Sequence, residues 1–275
     1  MRVRLLSVLF LMFFVAVGCG PLQRNSPFSE QTISTAHRLN SLNIEQLLRR
    51  DQTPQDIYMG LLSDSHQNYD DLEYAIEGIN SKTHDFVAHL GDFTNQGYNI
   101  EYDLFLFRIK NLGVPFVTVL GNHDTLVKGK SLYQRIFGNF NESFDYRGYR
   151  FIILNNNRLD FYSTGGVDWT WLRQNVQSST LPIVIMHHIN PDNKEYFADE
   201  DRQTFWNIVS GSRTRLVLHG HQHIWITDYT NGVLRHQVNR TEGGRWSRVL
   251  LQTNSISIER CTRMACSNDT TQAFP

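Results

Sequence analysis

The chain predicts an α/β fold on three observations. Short aliphatic, β-branched runs at 57–62, 86–90, 114–120, 181–186 and 215–218 read as strands buried on both faces. Stretches with apolar residues at helical spacing stand between several of them. Each run also ends in a polar cluster: Asp64-Ser65-His66, Gly91-Asp92-Phe93-Thr94-Asn95, Gly121-Asn122-His123-Asp124, His187-His188 and Gly220-His221-Gln222-His223. Polar residues at the ends of buried strands emerge together, at the crevice where sites form in open α/β sheets.

The elements follow in order. Arg2 and Arg4 precede an apolar stretch from Leu5 to Val17. As a helix it would reach only about 20 Å against a hydrocarbon core of about 30 Å, so residues 1–18 read as a signal peptide. Ala16-Val17-Gly18-Cys19 resembles a bacterial lipobox, which makes Cys19 a candidate for lipidation and the bacterial cell envelope the expected location, with membrane attachment through that lipid. Ordinary signal cleavage near Gly18 is the alternative. Residues 19–30 read as a polar tether and 31–275 as a single domain. Gln31 to Arg50 is expected to be helical, stopped by Pro54.

Amphipathic helices are expected at Asn68–Ser81 and Ile100–Leu112, with shorter ones at Lys130–Phe137, Asp168–Gln177 and Asp199–Val209. Ser143–Tyr146 and Arg150–Leu154, separated by Arg147-Gly148-Tyr149, read as a hairpin. After Thr227 the chain alternates as strands do, with Asn231-Gly232 as a turn signal. With Cys19 lipidated, Cys261 and Cys266 remain as an even pair. A local disulfide is then expected in an oxidising compartment, two free thiols being the alternative.

Over 275 residues the formal charge is -1, which gives extended nucleic-acid binding no electrostatic support. The 11 histidines are spent unevenly, many of them at strand ends beside Asp and Asn. Carboxylate and amide oxygen with imidazole nitrogen suit Mn, Fe, Zn or Co, and no cysteine lies near any cluster. A pair of metal ions is the most economical reason for such a gathering. Singly, each residue has a structural reading: an Asp at a strand end can cap the next helix, and Gly-Asn is a common turn.

In series, Asp-x-His, Gly-Asp-x-x-Asn, Gly-Asn-His-Asp, a strand-terminal His and Gly-His-x-His closely resemble the calcineurin-like metallophosphoesterases over roughly residues 56 to 226. The resemblance implies a four-layer α/β/β/α sandwich of two mixed sheets. It implies Asp64, His66, Asp92 and His223 around one divalent or mixed-valence transition metal ion (Mn, Fe or Zn), and Asp92, Asn122, His187 and His221 around a second, with Asp92 bridging. A hydroxide between the ions would attack a phosphate ester. Two divalent ions against two carboxylates and that hydroxide leave about one positive charge to attract a phosphoryl oxygen. His123 would face the scissile phosphate as acid or charge stabiliser, with Asp124 orienting its ring. His188 and His219 would lie behind the ligands or in the pocket, a structural histidine bonded to a neighbouring ligand or carbonyl being the alternative for each, and His89 in the core.

Departures narrow the substrate. Protein phosphatases of this superfamily carry an acidic residue and then Arg after Gly-Asp, where this chain has Asn95-Gln96-Gly97, and Glu where it has Asp124. His-x-Pro becomes His187-His188-Ile189-Asn190-Pro191. A small phosphodiester is the expected substrate class. A metal-binding envelope lipoprotein of the same fold without turnover is the alternative.

Overall fold

The computed structural model describes residues 26–157 and 166–274. The signal-peptide reading, Cys19 and most of the tether lie outside these residues.

Two six-stranded sheets form the centre. The first runs in the order β12-β11-β10-β1-β2-β3, built from β1 (Ile57–Leu62), β2 (Phe86–His89), β3 (Phe116–Thr118), β10 (Trp246–Leu251), β11 (Ser255–Cys261) and β12 (Cys266–Ala273). The second runs β4-β5-β6-β7-β9-β8, from β4 (Glu142–Tyr146), β5 (Tyr149–Ile153), β6 (Ile183–Met186), β7 (Thr214–His219), β8 (Ile226–Thr230) and β9 (Val233–Gln237). β1, β2 and β3 are parallel, as are β5, β6, β7 and β9, while β10–β12, β4 and β8 join antiparallel. Both sheets are therefore mixed.

Strand alternation divides the apolar side chains between two faces. Met59, Leu61, Phe86, Val117, Phe151, Val184, Met186, Leu216, Leu218 and Val249 meet between the sheets. On the outer face of the first sheet, Val87, Phe116 and Trp246 pack against α2 (Tyr69–Asn80), α3 (Asn99–Ile109) and α4 (Gly129–Ile136) through Leu72, Ile76, Phe105 and Tyr133. On the outer face of the second, Ile183, Ile185 and Val217 meet α5 (Trp169–Gln177) and α6 (Asp199–Val209) through Leu172 and Phe205. The result is the four-layer α/β/β/α sandwich. The parallel strands end on one side, and the loops after β1, β2, β3, β6 and β7 carry the five polar clusters.

One expected helix is shorter than its pattern suggested. Helix α1 spans only Leu39–Leu48, not residues 31–50. Upstream, side-chain acceptors take the backbone donors a helix would need: Asp103 receives Ile33 N–H and Ser34 N–H, each at 2.8 Å, and Ser34 Oγ receives Ala36 N–H at 3.1 Å. The expected α5 start holds, since Asp168 caps it by accepting Trp171 N–H at 2.9 Å. Cys261 and Cys266 are joined by a disulfide across the β11–β12 turn.

Candidate metal centre

The loops that follow the parallel strands take conformations that side chains normally resist. Asp64, His66, Asp92, His221 and His223 all have positive φ, between 45° and 76°. Asp and His tolerate the left-handed region better than most residues, yet each such position costs about 1 kcal/mol or more unless its surroundings impose it. Five in one place mark a backbone bent to aim side chains inward.

Two glycines make room for that bending. A Cβ on Gly121 would sit 2.1 Å from Asp92 N, and one on Gly220 would sit 1.8 Å from Ser63 Oγ and 2.6 Å from Asp64 Oδ2. Gly121 thus lets the third loop lie against the second, and Gly220 lets the fifth lie against the first.

Two groups of ligand-type atoms result. Asp64, His66 and His223 form one, and Asp92, His188 and His221 the other, with the atoms of each group within 4.8 Å of one another. His223 Nε2 is 3.3 Å from Asp64 Oδ1, and His66 Nε2 is 3.5 Å from His223 Nε2. In the second group His188 Nε2 is 3.1 Å from Asp92 Oδ2, and Asn122 Oδ1 lies 3.1 Å from both His188 Nε2 and His221 Nδ1. Neighbouring ligands on one ion, at bond lengths of about 2.1 Å, stand about 3 Å apart.

The charges ask for cations as well. Asp64 and Asp92 are fully buried, and among the described residues their ion-pair partners are the histidines His223 and His188 rather than any Lys or Arg. Burial works against a charged His188, but the Asp92 carboxylate beside it prevails and raises the ring to about 10. Burial also opposes the charge on Asp92, and His188 nevertheless holds it well below the usual carboxylate range. Two buried carboxylates answered by histidine rather than by lysine or arginine leave a negative pocket, and divalent ions would take the place of the proton on His188. The residues present therefore fit a two-metal group.

His188 stands where the sequence led us to expect His187. Along β6, Val184 and Met186 face the inter-sheet core while Ile183 and Ile185 face the helices. Continued by period two, His187 turns toward the helices and His188 toward the crevice. His187 stacks on His219 at 5.6 Å and 2° and meets Phe205 edge-on at 5.7 Å. His219 is buried there with it. Burial holds His187 well below the ordinary histidine range, so it is neutral there.

Asp124 also departs from expectation. It is completely buried and accepts hydrogen bonds from Asp92 N–H at 2.8 Å, Thr94 N–H at 2.9 Å, Gly121 N–H at 3.0 Å and the Thr94 hydroxyl at 3.0 Å. The short 3-10 turn His123–Thr125 points its carboxylate back into the loops, so it ties the Gly-Asp loop to the Gly-Asn loop and does not touch the His123 ring. The His123 ring is positioned instead by the Asn95 carbonyl, 2.7 Å from Nδ1, and sits 5.0 Å from the His66 ring. With Nδ1–H donating to that carbonyl, Nε2 is left for a substrate.

The asparagines at the end of β5 were not among the candidates. Asn156 Oδ1 accepts His188 N–H at 3.3 Å and Ile189 N–H at 3.1 Å, and Asn157 donates to the Leu120 carbonyl at 2.8 Å. All three of Asn155, Asn156 and Asn157 are buried. Three consecutive amides after a buried strand were visible in the sequence, and their bracing of the third and fourth loops explains them. His89 is buried as expected, yet its Nε2 is 3.0 Å from Ser65 Oγ, so it steadies the first loop too.

Comparison with known proteins agrees with this geometry. Over 170 residues the chain is 28% identical to a probable cyclic nucleotide phosphodiesterase of Psychrobacter arcticus, covering 54% of this chain and 60% of that relative's length. The fold is similar to a dimetal phosphatase from Danio rerio, with a TM-score of 0.64 at 12% identity over 80% of this chain and 99% of the other. A purple acid phosphatase from yellow lupin (Lupinus luteus) seeds gives a TM-score of 0.64 at 13% identity over 82% of this chain and 55% of the other. The model of the calcineurin-like phosphoesterase family matches residues 59–225, which take in all five loops, and the chain belongs to that family of phosphate-ester hydrolases.

Proposed function

We propose that this protein hydrolyses small phosphodiesters at a dinuclear metal centre, in the cell envelope. The observation that carries the reading is the convergence of Asp64, His66 and His223 beside Asp92, Asn122, His188 and His221. When bound, the ions would supply Lewis-acid polarisation of a phosphoryl oxygen and an acidified water as nucleophile. His123, held through Nδ1 by the Asn95 carbonyl, presents Nε2–H to the leaving oxygen. Asp124, Asn156 and Asn157 keep the loops from relaxing when the pocket fills.

Diesters are favoured over monoesters by the sparse cationic supply. A monoester dianion is best held by extra charged donors. No arginine follows the Gly-Asp loop; of the lysines on nearby loops that could serve instead, Lys128, Lys130 and Lys194, Lys128 pairs with Glu30 at 3.3 Å. The name of the Psychrobacter relative points the same way. With Mn loaded, kcat/KM for bis(4-nitrophenyl) phosphate is expected to exceed that for 4-nitrophenyl phosphate on the same preparation. A monoester preference of about tenfold would overturn the diesterase reading and leave the metal site standing.

The location rests on Arg2, Arg4, the apolar stretch to Val17 and Cys19. Among the described residues no helix is long and apolar enough to cross a membrane. Acyl chains on Cys19 would then supply the attachment, and Cys19→Ser is expected to move the protein from the membrane to the soluble fraction. Undiminished membrane association of that variant would refute the lipid anchor.

A further inference from the structure

The loop from Asn190 to Phe197 follows His188 and carries one aromatic ring to the metal centre. The Tyr196 ring meets His221 edge-on, with centroids 4.7 Å apart and planes at 86°. His221 shares the Asn122 oxygen with His188, so Tyr196 stands one ring away from where a phosphoryl group would be held.

The loop is built to keep it there. Asp192 N–H donates to Asn190 Oδ1 at 2.9 Å, Tyr196 N–H and Phe197 N–H both donate to the Asn193 carbonyl at 3.1 and 3.0 Å, and Phe197 is buried. The Asp192 carboxylate receives Trp206 Nε1–H at 3.0 Å and pairs with Arg235. Arg235 in turn grips Asp228 with two bonds of 2.8 Å, and its side chain is only 12% exposed. A largely buried arginine shared by two carboxylates is a costly fixture for a surface loop, because desolvating the ions offsets most of their attraction. Its return is geometric: the loop, and with it Tyr196, is fixed before any substrate arrives. On the other flank Ile224, next to His223 of the first group, is half-exposed and adds apolar surface there.

We propose that Tyr196 is a specificity-determining residue, which gives the site a preference for phosphate esters bearing a planar aromatic group on the phosphorus, stacked or edge-packed against its ring. The inference rests on the phosphodiesterase reading and adds the kind of ester group the site selects. Arg235 and Asp192 act through Tyr196 as positioning residues.

Two diesters with the same nitrophenol leaving group, bis(4-nitrophenyl) phosphate and methyl 4-nitrophenyl phosphate, isolate the second substituent. For Tyr196→Ala the ratio of kcat/KM for the bis-aryl over the methyl ester should fall by about tenfold, the scale of one lost aromatic pair with its buried area. Tyr196→Phe should keep the ratio within about twofold, since the ring is retained. Asp192→Asn should lower it in the same direction as Tyr196→Ala. Metal content should not change in any of them. Calorimetry on the Mn-loaded chain gives a readout apart from turnover: phenylphosphonate should bind more tightly than methylphosphonate, and Tyr196→Ala should erase the difference. If neither ester is hydrolysed while this Tyr196-dependent preference persists, the diesterase reading fails and the present inference stands. A bis-aryl ratio unmoved by Tyr196→Ala, or no preference for the phenyl ligand in the wild type, overturns the inference.

Discussion

His188→Ala is expected to lose at least one metal equivalent and to bring phosphate-ester hydrolysis to background, whereas His187→Ala keeps both equivalents. His188 Nε2 lies 3.1 Å from both Asp92 Oδ2 and Asn122 Oδ1, so its removal deletes a donor from the centre of the second group. His187 sits one layer back, against His219 and Phe205. Its loss should register as stability: a vacated ring position in a buried stack costs about 1–3 kcal/mol, or roughly 2–4 °C in Tm for each kcal/mol in a chain of this size. Its effect on turnover should stay within the 10–100-fold range of groups that support ligands from behind. Elemental analysis of the two purified variants decides the matter. Metal lost from His187→Ala and retained in His188→Ala would return the ligand to position 187.

That adjacent pair also shows what a sequence can and cannot disclose. The five loops were legible because each joins a buried strand to residue types that bind cations, and the parallel strands bring all five ends to one side. Which of two neighbouring histidines faces the crevice depends on strand parity. Parity can be read only where one face is polar. Ile183, Val184, Ile185 and Met186 are apolar on both faces, so the period-two signal is silent there until the second sheet and α6 are in place. Asp124 fails for a related reason. Adjacency to His123 suggested a partner for its ring, but a 3-10 turn sends neighbouring side chains in different directions, and three backbone N–H groups, two from the Gly-Asp loop and one from the Gly-Asn loop, were waiting for a carboxylate. The bracing amides of Asn156 and Asn157 act on the main chain of distant segments, and contacts of that kind leave no pattern in either segment alone.

The same contacts explain how the strained loops persist. Asp92 and His221 each hold a left-handed φ while their N–H groups are bound by carboxylates, Asp92 N–H by Asp124 and His221 N–H by Asp64 at 3.0 Å. A backbone that would relax on its own is thus fixed from outside the turn. The site is stiff before an ion arrives, and the chain spends buried polar groups on that stiffness rather than on the core.

Against that rigid frame the second large effect separates binding from chemistry. His123→Ala is expected to retain its full metal content and to lose roughly a hundredfold or more in kcat, the usual size of a missing general acid. Metal should stay because the His123 ring belongs to neither ligand group and its Nδ1 is taken up by the Asn95 carbonyl at 2.7 Å. Chemistry should suffer because Nε2 is the one atom of that ring left to meet a leaving oxygen. The loss should be largest for esters of poor leaving groups, such as alkyl alcohols, and shrink for nitrophenyl esters, whose oxygen departs without a proton. Asn95→Ala should be mild by comparison, since the atom that positions His123 is a main-chain carbonyl and survives the substitution. Metal analysis beside rates on a matched alkyl and nitrophenyl pair tests each part. A His123→Ala protein that has shed an ion would make His123 a ligand, and an equal loss on both esters would remove it from proton transfer and leave it only the task of stabilising charge on the phosphoryl group.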